Sequence, residues 1–127
     1  PGNYKIALQF NKNINNCSFM FYKCSNIIDI DLSNFKNDNI INMNSIFSEC
    51  HKLKYVDFFS INTKNVIDMA SMFKECGNLD FIDLLIFNTK KVANMSNMFN
   101  GCKSIRNLDL SSFNTKNVND MSGMFEN

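Results

Sequence analysis

The stretch LDLSSFNTKNVNDMSGMF, residues 108–125, decides the fold because it recurs along the chain. Near copies occupy residues 82–99 and 56–73, and a more divergent copy occupies residues 30–47. Equivalent residues stand 26 positions apart without insertions, as the phenylalanines show: Phe47, Phe73, Phe99 and Phe125. A fixed period of this length predicts a stacked-repeat protein.

We divide residues 1–127, a single repeat domain, into five repeats. The first repeat, residues 1–23, is degenerate, and each regular repeat begins at a cysteine. The regular repeats are residues 24–49, 50–75, 76–101 and 102–127. Because the chain stops where a further cysteine-led repeat would begin, we expect it to be a piece of a longer array, with further repeats or copies at its open ends.

Each repeat is expected to contain one short strand and one short helix. Leu79, Ile82 and Leu84 show the alternation of a strand entered from a turn. Val92, Met95 and Phe99 have the i, i+3, i+7 spacing of one helical face, preceded by Asn88-Thr89 as a candidate N-cap. The sequence therefore predicts an α/β solenoid, with short parallel strands on one face and short helices on the other.

The composition excludes several classes of protein. A formal net charge of +1 without a basic run gives no case for binding nucleic acid. No apolar stretch in this segment approaches the roughly 18 residues of a membrane span. The four glycines are scattered, so they form no phosphate loop, and no paired acids or metal triad suggest an active site. We predict a non-catalytic protein without a metal or other cofactor.

Cysteines form a column, which we define as the residues at equivalent positions in successive repeats. The column contains Cys24, Cys50, Cys76 and Cys102. Stacked strands lie about 4.8 Å apart, which is more than the β-carbon separation that a disulfide prefers. The spacing therefore favours a ladder of buried thiols that pack as small apolar side chains, over disulfides or a metal site.

Aspartates form a second column, at Asp31, Asp57, Asp83 and Asp109. One interpretation is a row of carboxylates that binds Ca²⁺ or a basic ligand. The other is structural, with each carboxylate accepting hydrogen bonds from a nearby serine hydroxyl or corner amide. Because the aspartate recurs in every regular repeat, we favour the structural interpretation.

Specificity is expected where the repeats differ on the strand face. Two neighbouring columns differ between the repeats. The first contains Asp29, Tyr55, Phe81 and Asn107, and the second contains Ser33, Phe59, Leu85 and Ser111. Of these regular repeats, only the middle two, residues 50–75 and 76–101, are apolar in both columns. An exposed apolar patch framed by polar residues is a common interaction site. Sequence drift, or cover by a neighbouring segment, is the alternative. The candidate binding residues are Tyr55, Phe59, Phe81 and Leu85, beside Asp57 and Asp83.

These motifs resemble a known family. The spacing of Leu79, Ile82 and Leu84 is similar to the strand segment of leucine-rich repeats. The phrase at residues 108–125 resembles the repeat of BspA-like leucine-rich-repeat surface proteins of bacteria and protists. The resemblance covers residues 24–127 and implies a leucine-rich-repeat-like solenoid on a secreted or cell-surface protein linked to adhesion.

Two functions remain open after this comparison. The resemblance implies a module that binds a protein or a glycan through its strand face. The alternative is an intracellular scaffold or assembly segment packed inside a larger complex. The predicted free thiols favour the scaffold, because exported proteins tend to oxidise their cysteines.

Overall fold

The computed structural model describes residues 10, 13–35 and 37–127 of the chain. Two strands are present among them, β1 (Asp29–Asp31) and β2 (Tyr55–Asp57). They pair in parallel, with Asp29 opposite Tyr55 and Asp31 opposite Asp57. This register places residues 26 positions apart side by side, so the repeats stack with the period of the sequence.

The predicted helices are absent from the described part of the chain, so the expected α/β solenoid is wrong. A series of tight turns replaces each helix, and two three-residue strands replace the expected strand in every repeat. Segments of about eight residues are too short to form stable helices alone, and here they obtain their hydrogen bonds from neighbouring repeats instead.

We call each of these turn segments a turn ribbon. The ribbons are residues 17–24, 43–50, 69–76, 95–102 and 121–126. In the second ribbon, the N–H groups of Ile46, Ser48 and Cys50 donate to carbonyls three residues earlier in the same ribbon. The intervening N–H groups of Met43, Ser45, Phe47 and Glu49 donate instead to carbonyls of the next repeat, over 2.7–3.1 Å.

This division of hydrogen bonds explains why a ribbon forms instead of a helix. An α-helix pairs its interior N–H groups within itself, whereas a ribbon sends every second N–H to its neighbour. The alternation requires left-handed residues, and Ser45, Glu49, Ser71 and Glu75 have φ values of 54–62°. Such values are unfavourable for residues other than glycine, so the bonds between repeats must stabilise them.

Glycine takes the left-handed position in the fourth ribbon. Gly101 has a φ of +76°, and a β-carbon there would lie 2.7 Å from the side chain of Glu75 in the repeat before it. Glycine adopts this conformation without strain, whereas Glu49 and Glu75 hold it at the equivalent positions of the two preceding repeats.

The core lies between the turn ribbons and the strand segments. Phe47, Phe73 and Phe99 are buried and stack ring on ring, with centroids 5.5–5.7 Å apart and planes within 14° of parallel. Phe58 meets the rings of Phe47 and Phe73 edge-on. The core also buries the methionine and leucine columns, such as Met69, Met95, Leu53 and Leu79.

Asparagine and aspartate side chains close the corners of the repeats. Asn88 does not act as the N-cap of a helix, because its side-chain oxygen accepts a hydrogen bond at 3.2 Å from the N–H of Lys90. Asn42, Asp68 and Asn94 accept in the same way from the N–H two residues ahead. These local bonds are Asx-turns, an arrangement that asparagine and aspartate favour at turns.

Candidate binding surface

The four apolar residues predicted to form a binding site are all exposed. We call Tyr55, Phe59, Phe81 and Leu85 the strand-face patch. Their exposed fractions are 45%, 81%, 57% and 53%, respectively. Large apolar side chains of the same repeats, such as Phe58 and Leu84, are buried. The patch therefore remains open to solvent while the neighbouring positions fill the core.

Stacking of the repeats brings the patch together. Tyr55 begins β2, and Phe81 occupies the equivalent position one repeat later. Phe59 and Leu85 form the adjacent column, each two residues beyond an aspartate. Because stacked backbones lie about 4.8 Å apart, the side chains of each column are neighbours.

The aspartate column holds the backbone of the patch. Asp57 Oδ1 accepts a hydrogen bond from the N–H of Phe59 at 2.9 Å, and Asp83 Oδ1 accepts from Leu85 at 3.0 Å. Asp31 and Asp109 make the same bond to Ser33 and Ser111. At Asp109, hydrogen bonds from the side chain and backbone of Ser111 hold the carboxyl pKa below its usual value. The carboxylates therefore have the structural role that recurrence in every regular repeat suggested.

The polar oxygens beside the patch are only partly used by these turns. The Oδ2 atoms of Asp57 and Asp83 have no hydrogen-bond partner among the described residues. They lie beside aromatic and aliphatic side chains, so the surface combines apolar area with acceptors for a ligand hydroxyl or cation.

The repeats on either side are polar at the same positions. Asp29 and Asn107 replace the aromatic residues of the first column and are exposed. Ser33 and Ser111 replace Phe59 and Leu85 in the second column. The apolar area is thus confined to the middle repeats and framed by polar residues.

Two exposed residues next to the patch were missed from the sequence. Ile28 is 44% exposed just before β1, and Ile86 is 48% exposed just after Leu85. The sequence alone could have identified Ile86, because the equivalent residues of the neighbouring repeats, Ser60 and Ser112, are polar. Ile28 similarly stands where later repeats carry Lys54, Asp80 and Arg106.

The cysteine column forms a ladder of free thiols. Cys50, Cys76 and Cys102 are buried, and each thiol donates to a phenylalanine carbonyl of the preceding turn ribbon, at 3.0–3.2 Å. Burial raises the pKa of Cys50 to about 11 and that of Cys102 to about 12. Protonated, inaccessible thiols of this kind are poor nucleophiles and metal ligands. Among the described residues, no cluster of three or more His, Cys, Asp or Glu side chains is placed to bind a metal ion.

A known protein family matches most of the chain. A family model described as Mycoplasma protein of unknown function, DUF285, matches residues 15–127. The chain belongs to the DUF285 family. The match begins just before the first turn ribbon and includes every regular repeat of this DUF285 chain. No curated protein and no solved structure matches it.

Over residues 10, 13–35 and 37–127, the structure contains no helix with the length and apolar character needed to cross a membrane. This agrees with the absence of a long apolar stretch from the sequence of this segment.

Proposed function

We propose that this chain is a non-catalytic module of a cell-surface, adhesin-like protein that binds a protein or glycan through the strand-face patch. The observation that carries the proposal is the solvent exposure of Phe59 and Phe81 on a surface whose neighbouring repeats are polar. Exposed aromatic residues on a framed patch are typical of sites where a partner is bound.

The chemistry of the patch suits either class of ligand. The exposed ring of Phe81 offers a flat apolar surface to a sugar ring or to an apolar side chain of a protein. The Oδ2 atoms of Asp57 and Asp83, which no described residue contacts by a hydrogen bond, are acceptors for sugar hydroxyls or for a lysine or arginine of a partner. The proposed surface location is supported by the resemblance to BspA-like proteins.

The proposal is tested with a variant that removes both aromatic rings. We would apply the wild-type chain and the Phe59→Ser/Phe81→Ser variant to a glycan array and to an array of secreted and cell-surface proteins. We expect binding to at least one probe that the double variant weakens at least tenfold. The control is Ile67→Ser, which removes an exposed apolar side chain outside the patch.

Two results would contradict a binding role for the patch. One is equal binding by the wild type and the double variant; the other is equal loss in the double variant and in Ile67→Ser. A circular dichroism melt of each variant confirms folding, and little change is expected because surface substitutions usually shift the free energy of unfolding by no more than about 0.5 kcal/mol.

A second function, an intracellular scaffold segment, is favoured by the cysteines. All five are free and four are buried, as expected for a chain that is kept reduced. Protease treatment of intact cells that make the protein separates the two functions. Cleavage of this segment on intact cells supports the surface protein, whereas protection until lysis supports the scaffold.

Further repeats or further copies at the open ends complete the proposed set of partners. Phe125, in the last repeat, is 54% exposed, whereas the equivalent Phe99 is 3% exposed. The last repeat therefore presents to solvent an apolar surface of the kind that is buried between repeats elsewhere.

A further inference from the structure

Aspartates lie between the two apolar columns of the strand-face patch. Tyr55, Asp57 and Phe59 alternate along the chain with buried residues, so their side chains share one side of the repeat. The next repeat has the same arrangement around Asp83. Each of these two carboxylates therefore has an exposed apolar side chain before it and another after it.

The strand face carries an excess of negative charge. Over the four regular repeats, the two columns of the patch and the aspartate column contain five aspartates and no lysine or arginine. The chain as a whole has a formal net charge of +1. The column that precedes them holds Lys54, Asp80 and Arg106, and neither of its basic residues forms an ion pair with another described residue. The face is thus acidic on a chain that is nearly neutral.

The step between repeats keeps the carboxylates close together. The stacked rings of the core lie 5.5–5.7 Å apart from one repeat to the next. Like charges at such a separation repel, and a cation placed beside them relieves the repulsion. Asp57 and Asp83 each use Oδ1 for the turn, and no described residue donates a hydrogen bond to their Oδ2 atoms. A cation from outside the described chain can therefore reach both carboxylates.

The aromatic neighbours suit the same kind of ligand. Arginine and lysine combine an apolar stem with a charged head, and a guanidinium can lie over an aromatic ring while it pairs with a carboxylate. A neutral sugar is a poorer match, because its hydroxyls need acceptors and donors alike. The hydroxyl of Tyr55 is the one side-chain donor among the four patch residues, Asp57 and Asp83.

We propose that the strand-face patch binds a basic segment of a partner protein, whose arginine or lysine side chains pair with Asp57 and Asp83. Apolar groups of the same segment cover Phe59 and Phe81. The choice of partner rests on the binding role proposed above for the patch. The site lies within residues 50–101, and described repeats flank it on both sides.

The first measurement uses a library of random short peptides as the probe. The wild-type chain is immobilised, and bound peptides are recovered and sequenced. We expect enrichment of arginine and lysine beside aromatic or aliphatic residues. Enrichment of aspartate and glutamate, the absence of any bias in charge, or the recovery of no peptide would overturn the proposal.

The second measurement compares matched variants in their affinity for one enriched peptide. Asp57→Asn/Asp83→Asn removes two charges and keeps a side-chain oxygen for the turn, as Asn42 does elsewhere in this chain. The control is Asp68→Asn/Asp120→Asn, which removes the same charge from the column that contains Asn42, outside the patch. Both variants should therefore fold like the wild type, and a circular dichroism melt checks this.

Fluorescence anisotropy of the labelled peptide gives the affinities. We expect Asp57→Asn/Asp83→Asn to weaken binding by about tenfold or more, and the control variant to bind like the wild type. Added NaCl should weaken binding to the wild type, because it screens exposed charges. Unchanged affinity in Asp57→Asn/Asp83→Asn, or an equal loss in the control, would overturn the proposal.

The Phe59→Ser/Phe81→Ser variant separates this proposal from the binding role of the patch. A ligand that is lost in that variant but kept by Asp57→Asn/Asp83→Asn would leave the patch as a binding site and overturn its basic partner. If no peptide, glycan or protein is sensitive to Phe59→Ser/Phe81→Ser, both proposals fail.

Discussion

The hydroxyl of Thr89 forms two hydrogen bonds to Asn114 in the next repeat. It accepts from the N–H of Asn114 at 2.7 Å and donates to the carbonyl of the same residue at 3.1 Å. Thr63 has the same relationship with Asn88, and both threonines are buried. One side chain therefore satisfies two backbone groups of the next repeat and fixes the register between repeats.

Replacing this hydroxyl should destabilise the chain. Thr89→Val keeps the shape of the side chain and leaves the N–H and carbonyl of Asn114 without partners. We expect the free energy of unfolding in urea to fall by about 1–3 kcal/mol. Thr115→Val is the matched control, since Thr115 is exposed in the last repeat and should change stability by no more than about 0.5 kcal/mol. Equal losses in both variants would refute the role of the hydroxyl.

Glycine substitutions distinguish the turn ribbon from a helix. Ser71 has a φ of 54°, so Ser71→Gly should leave stability unchanged or raise it by up to about 1 kcal/mol, whereas Ser71→Val should lower it. Ala70 is adjacent and its φ is not positive, so Ala70→Gly should cost roughly 0.5–1 kcal/mol. Urea denaturation measures all three. A loss of stability in Ser71→Gly similar to that in Ala70→Gly would favour a helix.

The stacked phenylalanines should carry much of the stability. Phe73 is fully buried between Phe47 and Phe99, and Phe73→Ala should lower the free energy of unfolding by about 3–5 kcal/mol through lost burial and a cavity. Phe59→Ala removes the same group from a site that is exposed, and it should change stability by about 0.5 kcal/mol or less. Comparable losses at both positions would contradict the structure of the core.

Stability should depend on pH through the buried thiols. Folding raises the pKa of Cys17 and Cys50 from 9.0 to about 11, that of Cys102 to about 12, and that of Cys76 further still. Below pH 9 these thiols are protonated in both states, so their contribution is constant. Above pH 9 the unfolded chain releases protons that the folded chain keeps, and stability falls until the folded thiols ionise.

The size of this effect can be checked with one variant. Each buried thiol should contribute up to about 1.4 kcal/mol of lost stability per pH unit above pH 9. Urea midpoints between pH 7.5 and 10.5 measure the slope for the wild type and for Cys76→Ala. The loss of stability per pH unit should be smaller in Cys76→Ala than in the wild type, by the contribution of one thiol. Identical slopes would show that other groups cause the alkaline loss.

The exposed strand-face patch was predictable because it depends on differences between the copies. Tyr55, Phe59, Phe81 and Leu85 stand out only when the repeats are aligned, and stacking at a fixed step then brings them together. Ile86 carries the same signal, and including every column on this face would have found it. That signal indicates an exposed surface and not a class of ligand, because exposed apolar area suits many kinds of partner.

The sequence by itself determined the period, the columns and most of the core. Met95 and Phe99 fall in apolar columns, and any fold that stacks repeats of equal length buries them together. The helix was wrong because i, i+3, i+7 spacing describes which side chains share a face and not where the N–H groups bond. Only the tertiary structure decided which carbonyls these N–H groups bond, since an isolated ribbon lacks half of its hydrogen bonds. The neighbouring repeat supplies the missing bonds, and these bonds stabilise the left-handed conformations at residues such as Ser71.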